Sequence, residues 1–408
     1  MKYIHQYIKS ACLLINEYNG SMPFTAYLKN HFSQHKKFGS KDRKYISQIC
    51  YQYFRLGKSA KLFSVEDGIK TAIFLCNEVV GEWELLYDES WLQNWSSNLT
   101  QRINFIKNNY PSFDVVSIFP FDHLLSSDID KDLFILSHLI QPDLFCRIRP
   151  DQSKKVIASL TNAGIAFKQL SDNSLALSNG TKLEGIVAID KEVVIQDLSS
   201  QAVGTVIQTI KHSLSLLNSK PVVWDCCAAS GGKSILAKDI FGDISLIVSD
   251  VRESILRNLE KRFTEADITE YNSFVADLED PNAINLIEGS TYSSTSTDSR
   301  IPDIDLIIVD APCTGSGTWS RTPEQLFFFE ENQLNSFQQL QQAIVTNTIP
   351  VLKKGGYLLY ITCSVFEAEN EAMTAFIKST TTLNLVEQQT IKGYDNKADT
   401  MFVALFKN

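Results

Sequence analysis

Eight cysteines and six histidines are too scattered to build what such residues usually build. Cys12, Cys50, Cys76, Cys146, Cys226, Cys227, Cys313 and Cys363 contain no C-x-x-C pair, and the histidines do not cluster near them. A zinc site and a disulfide framework are therefore not expected, and the cysteines read as reduced thiols. No apolar run is long enough to span a bilayer, and no signal-peptide pattern is present, so a cytoplasmic protein without a membrane partner is expected. The charged fraction, 21%, is slightly low, but a hydrophobic fraction of 44% excludes wholesale disorder.

What is present is unevenly spread. The formal net charge of −9 argues at first sight against nucleic acid. Residues 1–60 nevertheless hold ten lysines and arginines against only Glu17 and Asp42, a surplus of +8, which leaves −17 for the remainder. Such asymmetry suits a basic attachment surface joined to an acidic body. A charge run is more often a solvated helical face, and the cluster from Lys36 to Lys44 is what keeps the binding reading open.

At 408 residues the chain should form two or three domains. Residues 1–140 read as a helical bundle: Tyr45, Ile46, Ile49, Cys50 and Phe54 fall at helical spacing, and Gly39-Ser40-Lys41-Asp42 reads as a helix start with Ser40 as candidate N-cap. Tyr51, Tyr53 and Phe54 could stack on bases, but core is the better expectation. Residues 141–195 read as a small α+β domain, ferredoxin-like, from the strand signals "LFCRIRP", "SLALSNG" and "GIVAID" and one amphipathic helix. From 196 to 408 strands and helices alternate: "PVVWDCC", "ISLIVSD", "SFVAD", "IDLIIVDAP" and "GGYLLYITCS" are the strands. Helices are expected over about 252–266 and 333–352 and from near Glu367. This is the pattern of an α/β fold, a doubly wound, Rossmann-like parallel sheet. The Ser/Thr-rich stretch 288–300 reads as a surface insertion.

Chemistry concentrates at the predicted strand ends. Asp225-Cys226-Cys227-Ala228-Ala229-Ser230-Gly231-Gly232-Lys233 is a Gly-rich strand-to-helix turn, where backbone N–H groups can approach a ligand. The G-x-x-x-x-G-K-[ST] spacing is missing, so it is not a P-loop. Alone, the turn fits any nucleotide-binding α/β domain. Asp250 ends the next strand, where a carboxylate can bind ribose hydroxyls, and Asp277 ends the third, within reach of an adenine amino group. Each alone would be a cap or turn residue; in this order they fit an adenosyl ligand. Asp310-Ala311-Pro312-Cys313 and Thr362-Cys363-Ser364 put a carboxylate and two thiols at one sheet edge. One such cysteine would read as structural; two shift the balance to catalysis.

"DCCAASGGKS", "DAPCTGSGTWSRTPE" and "YITCSVFEAENE" resemble the signature motifs of the RsmB-like (Nop/Sun) family of SAM-dependent RNA 5-methylcytosine methyltransferases. The likeness covers about 140–408, including "VVIQDLSSQAV", and less distinctively "FGSKDRKYISQICYQYFRLGK", similar to the family's helical RNA-binding region. It implies a class I methyltransferase domain that uses S-adenosyl-L-methionine (SAM). It implies that Cys227, Ala228, Ala229, Ser230, Gly231, Gly232, Lys233, Asp250, Asp277 and Asp310 line the cofactor and base site. Cys363 would be the nucleophile, Cys313 the group aiding product release, and Asp310 the contact to the base's N3. The implied partner is RNA, small-subunit rRNA first and tRNA second, with no metal and a monomeric state expected. Ser230 stands where the family usually has proline, "CRIRP" replaces a more usual Arg-Val-Asn, and the Ser/Thr-rich insertion is outside the pattern. Two other readings are a DNA cytosine methyltransferase, whose nucleophile is the Pro-Cys thiol, and an inactive ribosome-assembly factor. The Thr-Cys motif speaks against the first, and the filled catalytic positions against the second.

Overall fold

The computed structural model describes residues 3–215, 220–285 and 303–408. The Ser/Thr-rich stretch 288–300 lies outside them. The chain divides into two compact units: residues 1–125, 130–142 and 318–331, and residues 126–129, 143–317 and 332–408.

The first unit is helical, with its longer helices at Ile4–Glu17, Phe24–Gln34, Ser40–Phe54, Val65–Cys76 and Leu99–Asn109. Ile4, Ile8, Ala11 and Ile15 recur at helical spacing and are buried. Tyr53 and Phe54 are core residues; Phe54 packs edge-on against Phe24 at 5.1 Å and Phe327 at 5.4 Å between ring centroids. The N-cap of Ser40–Phe54 is Gly39 rather than Ser40, because Asp42 at the third helical position accepts the Gly39 N–H at 2.8 Å.

The second unit opens with an antiparallel sheet of order β2-β3-β1-β4: β1 Leu144–Ile148, β2 Phe167–Ser171, β3 Ser174–Leu177 and β4 Val193–Ile195. The helix Ser153–Asn162 connects β1 to β2. This is the ferredoxin-like strand order, but a loop over 178–192 stands where that pattern has a second helix. "GIVAID" is not a strand: it makes only the isolated bridge Ile189–Val193.

The larger sheet has order β10-β11-β9-β8-β5-β6-β7: β5 Val222–Asp225, β6 Ser245–Asp250, β7 Tyr271–Val275, β8 Ile304–Asp310, β9 Leu352–Thr362, β10 Asn384–Ile391 and β11 Met401–Lys407. β5 to β9 are parallel; β10 and β11 add an antiparallel edge. Successive side chains on a strand point to opposite faces, and the core divides accordingly. Val223, Leu306, Ile308, Leu359 and Ile361 pack on one face, Trp224, Ile307, Val309, Leu358 and Tyr360 on the other. Each such buried side chain contributes about 1.5–3 kcal/mol. Two covered faces explain why these strands read as continuous apolar runs.

From β5 the sheet grows outward through β6 and β7, and the chain then returns to lay β8 on the other side of β5. That reversal leaves a crevice beyond the carboxyl ends of β5 and β8, the place where open α/β sheets bind ligands.

Candidate functional site

The Gly-rich turn leaves β5 through a backbone that few residues accept. Ala229 (φ +47°) and Gly231 (φ +83°) are left-handed. A Cβ at Gly231 would lie 2.7 Å from Phe263 Cε1, so both conformation and space call for glycine there. The turn is pinned from outside. The Ala228 N–H donates to the Ser249 carbonyl at 2.9 Å, and the Ala229 N–H to Asp250 Oδ2 at 3.0 Å. Arg262 Nη1 donates to the Ser230 carbonyl and hydroxyl at 2.9 and 3.0 Å, so serine here gains a partner that proline would lack. The helix Gly232–Phe241 follows. Lys233 is buried and donates to Ser200 Oγ at 2.8 Å and Asp310 Oδ2 at 3.1 Å.

A cavity of about 500 Å³ occupies the crevice. Of the residues expected there, Cys227, Ala229, Asp250, Asp277, Asp310 and Cys313 line it. Ala228, Ser230, Gly231, Gly232, Lys233 and Cys363 do not. Residues not singled out from sequence complete the wall, among them Arg252, Leu278, Glu279, Leu340 and Ile344. The last two sit four apart on the helix Leu334–Thr348, a spacing that marks one helix face. Four carboxylates (Asp250, Asp277, Glu279 and Asp310) face one guanidinium, Arg252, which pairs with Asp250 at 3.1 Å. Such a wall favours a cationic ligand over a phosphorylated one.

At the cavity's edge the two loops after β8 and β9 meet. Cys313 Sγ and Cys363 Sγ are 3.3 Å apart. The hydrogen bond with Cys363, together with burial, holds the Cys313 thiol well above its ordinary range. The loops touch backbone to backbone: the Gly317 N–H donates to the Cys363 carbonyl at 2.9 Å, and a Cβ at 317 would lie 3.0 Å from that carbonyl and 2.0 Å from the carbonyl of Thr400, just before β11. Beneath them, Asn370 accepts the Thr362 hydroxyl at 2.6 Å and donates to the Ser364 carbonyl at 3.0 Å. Sequence alone assigns no role to Glu369 and Asn370, because a Glu-Asn pair in a polar stretch carries no signal of burial.

In the helical unit a second concavity of about 490 Å³ is lined by Tyr3, Tyr7, Lys9, Leu13, Lys37 and Phe38, among others. Tyr3 and Leu13 are exposed, and Lys37 Nζ lies 5.2 Å from the Phe38 ring centroid. Among the described residues no helix is long and apolar enough to cross a membrane.

Residues 213–406 match the family model described as 16S rRNA methyltransferase RsmB/F. The ribosomal RNA small subunit methyltransferase B of Enterobacter sp. (strain 638) is 29% identical over 198 residues, 47% of this chain and 40% of that protein. The chain spans half or less of the length of such curated relatives. The crystal structure of PH0851 superposes with a TM-score of 0.66 over 98% of both chains at 18% identity. NSun6 from Pyrococcus horikoshii with SFG superposes with a TM-score of 0.55 at 14% identity, over 71% of this chain and 96% of that one. At such identities the likeness is one of fold.

Proposed function

We propose that the chain, whose residues 213–406 match the RsmB/F methyltransferase model, is a SAM-dependent RNA methyltransferase that methylates carbon 5 of cytosine, with Cys363 as covalent nucleophile. The observation that carries the reading is the thiol pair, 3.3 Å apart, beside the acid-walled cavity. That cavity suits SAM, whose sulfonium and ammonium are cationic. Asp250 would take the ribose hydroxyls, Asp277 the adenine edge, and the backbone around Ala229 the rest of the chain. When bound, SAM supplies an electrophilic methyl group.

Carbon 5 of cytosine is a weak nucleophile. Cys363 Sγ, as thiolate, adds to carbon 6, and the electron pair moves toward carbon 5 and N3, which makes carbon 5 electron-rich. As charge reaches N3 a proton must reach it too: Asp310 delivers it, as the acid itself or through a bridging water, while Lys233 engages its Oδ2. After methylation the carbon 5 proton leaves to a water that Cys313 positions, the electron pair re-forms the carbon 5–carbon 6 double bond, the carbon 6–sulfur bond breaks, and the Cys363 thiolate returns. The Cys313 thiol, held protonated by its environment, suits a late role better than nucleophilic attack, which needs the thiolate. A stacked cytosine hides carbon 6, so the base must be flipped or lie in a loop. The lysine-and-aromatic concavity of the helical unit suits the flanking strand. Among RNAs, small-subunit rRNA is favoured by the curated relatives' names, and tRNA is the second choice.

Single-turnover assays on the cysteine variants test the chemistry. Cys363→Ala should abolish both the covalent RNA adduct and methyl transfer; Cys313→Ala should form the adduct and release it slowly. An adduct that survives Cys363→Ala but not Cys313→Ala reverses the roles and restores the Pro-Cys reading. Bisulfite sequencing of total RNA from a deletion strain identifies the target; an unchanged 5-methylcytosine map would favour an inactive assembly factor.

A further inference from the structure

The two cysteine loops are joined by a carboxyl group that the reaction itself does not use. Glu369 closes the short turn Glu367–Glu369 after β9 and is fully buried. Its Oε1 accepts the Thr314 backbone N–H and the Gln341 side-chain amide, both at 2.9 Å. Its Oε2 accepts the Thr314 and Ser364 hydroxyls, both at 2.5 Å. Thr314 directly follows Cys313, and Ser364 directly follows Cys363. One side chain therefore ties the residue after each thiol to a common point.

Gln341 extends the tie to the helix Leu334–Thr348, which lines the cavity through Leu340 and Ile344. It also donates to the Pro312 carbonyl at 3.0 Å, on the other side of Cys313. Burial pushes the Glu369 carboxyl above its ordinary range, and its hydrogen-bond donors oppose that rise. A site that needed only packing would be filled more cheaply by an apolar side chain. A carboxylate is the side chain whose two oxygens can satisfy four donors at once.

We propose that Glu369 is a positioning residue, which fixes the Cys363 and Cys313 thiols relative to each other through Thr314 and Ser364 so that nucleophile and release group address the same base. The inference rests on the functional reading above. It goes beyond that reading by assigning the 3.3 Å sulfur separation to a group that touches neither substrate nor cofactor.

The test uses the full chain as Glu369→Gln, Glu369→Ala and Thr314→Val. The amide of E369Q keeps the shape: its oxygen accepts from the Thr314 N–H and Gln341, and its NH₂ meets two hydroxyls that can rotate to accept. E369A leaves all four donors without an acceptor. With tritiated SAM and a 16S rRNA transcript, E369Q should stay within about threefold of the wild-type kcat. E369A should fall by roughly 100-fold, the usual cost of an ångström-scale misplacement, with its KM for SAM nearly unchanged. T314V, which loses one of the four donors, should fall by roughly tenfold and serves if E369A does not fold.

A second readout needs neither substrate: the pH profile of Cys363 alkylation by iodoacetamide, followed by mass spectrometry. It should move in E369A and stay put in E369Q. A kcat for E369A within threefold of wild type, E369Q as slow as E369A, or an alkylation profile unmoved in E369A would each overturn the proposal. A wild-type protein that methylates no RNA would count against the functional reading instead, and the alkylation profile would still decide the role of Glu369.

Discussion

At the scale of single residues, Asp225 is a costly group beside the site. It is fully buried at the end of β5; one oxygen takes the Ser234 hydroxyl at 2.6 Å, and the other has no hydrogen-bond partner. Burial lifts its pKa to about 7, and the Ser234 hydrogen bond opposes the rise. The folded value lies above the unfolded one of about 3.9, so the folded state holds a proton that the unfolded chain releases. The associated stability is complete below about pH 4 and is lost as pH rises through about 7. Between pH 5 and pH 8 the wild type should lose on the order of 2 kcal/mol that Asp225→Asn does not lose. Urea unfolding at the two pH values measures the difference; equal losses in both proteins would refute it. Asp225 stood at the head of a motif in the sequence, but nothing there distinguished it from Asp250. Both end strands, and only the packing around Asp225 makes its charge expensive. Glu369 was equally illegible, since its burial arises from loops far apart in the chain.

At the scale of elements, the strands around the site were legible because burial on both faces writes an apolar run, and the turns after them carry their own glycines. β10 and β11 were passed over. β10 alternates exposed and half-buried residues with no strong apolar signal, and β11 gains its place by pairing with β9 from the far end of the chain. The departure at "CRIRP" also acquires a physical account. Arg147 and Arg149 project from and just beyond β1 and meet Asp239 on the helix Gly232–Phe241, at 2.6 and 2.8 Å. The three side chains are nearly sealed from solvent. The pair of arginines thus fastens the small sheet to the helix that begins at the Gly-rich turn. Removing one partner of a buried ion pair strands the other charge, at about 3–5 kcal/mol. Asp239→Ala should therefore destabilise the second unit by about 3 kcal/mol, seen as faster amide exchange in β1 and β4. Exchange unchanged within twofold would mean that the arginines are satisfied by Gln196 and the carbonyls of Asp190 and Ala266 alone.

At the scale of the whole molecule, the charge is divided as the chemistry requires. The cavity wall carries an excess of carboxylates, which suits a cationic methyl donor and repels phosphate. The RNA substrate proposed above would then be held elsewhere, and the +8 surplus of residues 1–60 is available for it. Two of its ten cations, Lys9 and Lys37, share one concavity, which Asp42 also lines. Tyr53 and Phe54 are spent on the core, whereas Lys9 and Lys37 border a concavity that also presents Tyr3 and Phe38. Lysines on phosphates release counterions, so the logarithm of the binding constant falls with the logarithm of salt, by about 0.9 per contact on a duplex and 0.7 on a single strand. The double variant Lys9→Ala, Lys37→Ala should weaken binding of a single-stranded RNA at low salt. It should also flatten that slope by about 1.4, two contacts' worth, without changing affinity for SAM. Fluorescence anisotropy over a salt series reads the slope directly. If affinity falls while the slope stays constant, the two lysines act through the fold of the helices and not through phosphate. If neither changes, the RNA follows another part of the basic segment, with the exposed Lys36, Lys41 and Lys44 the next residues to substitute.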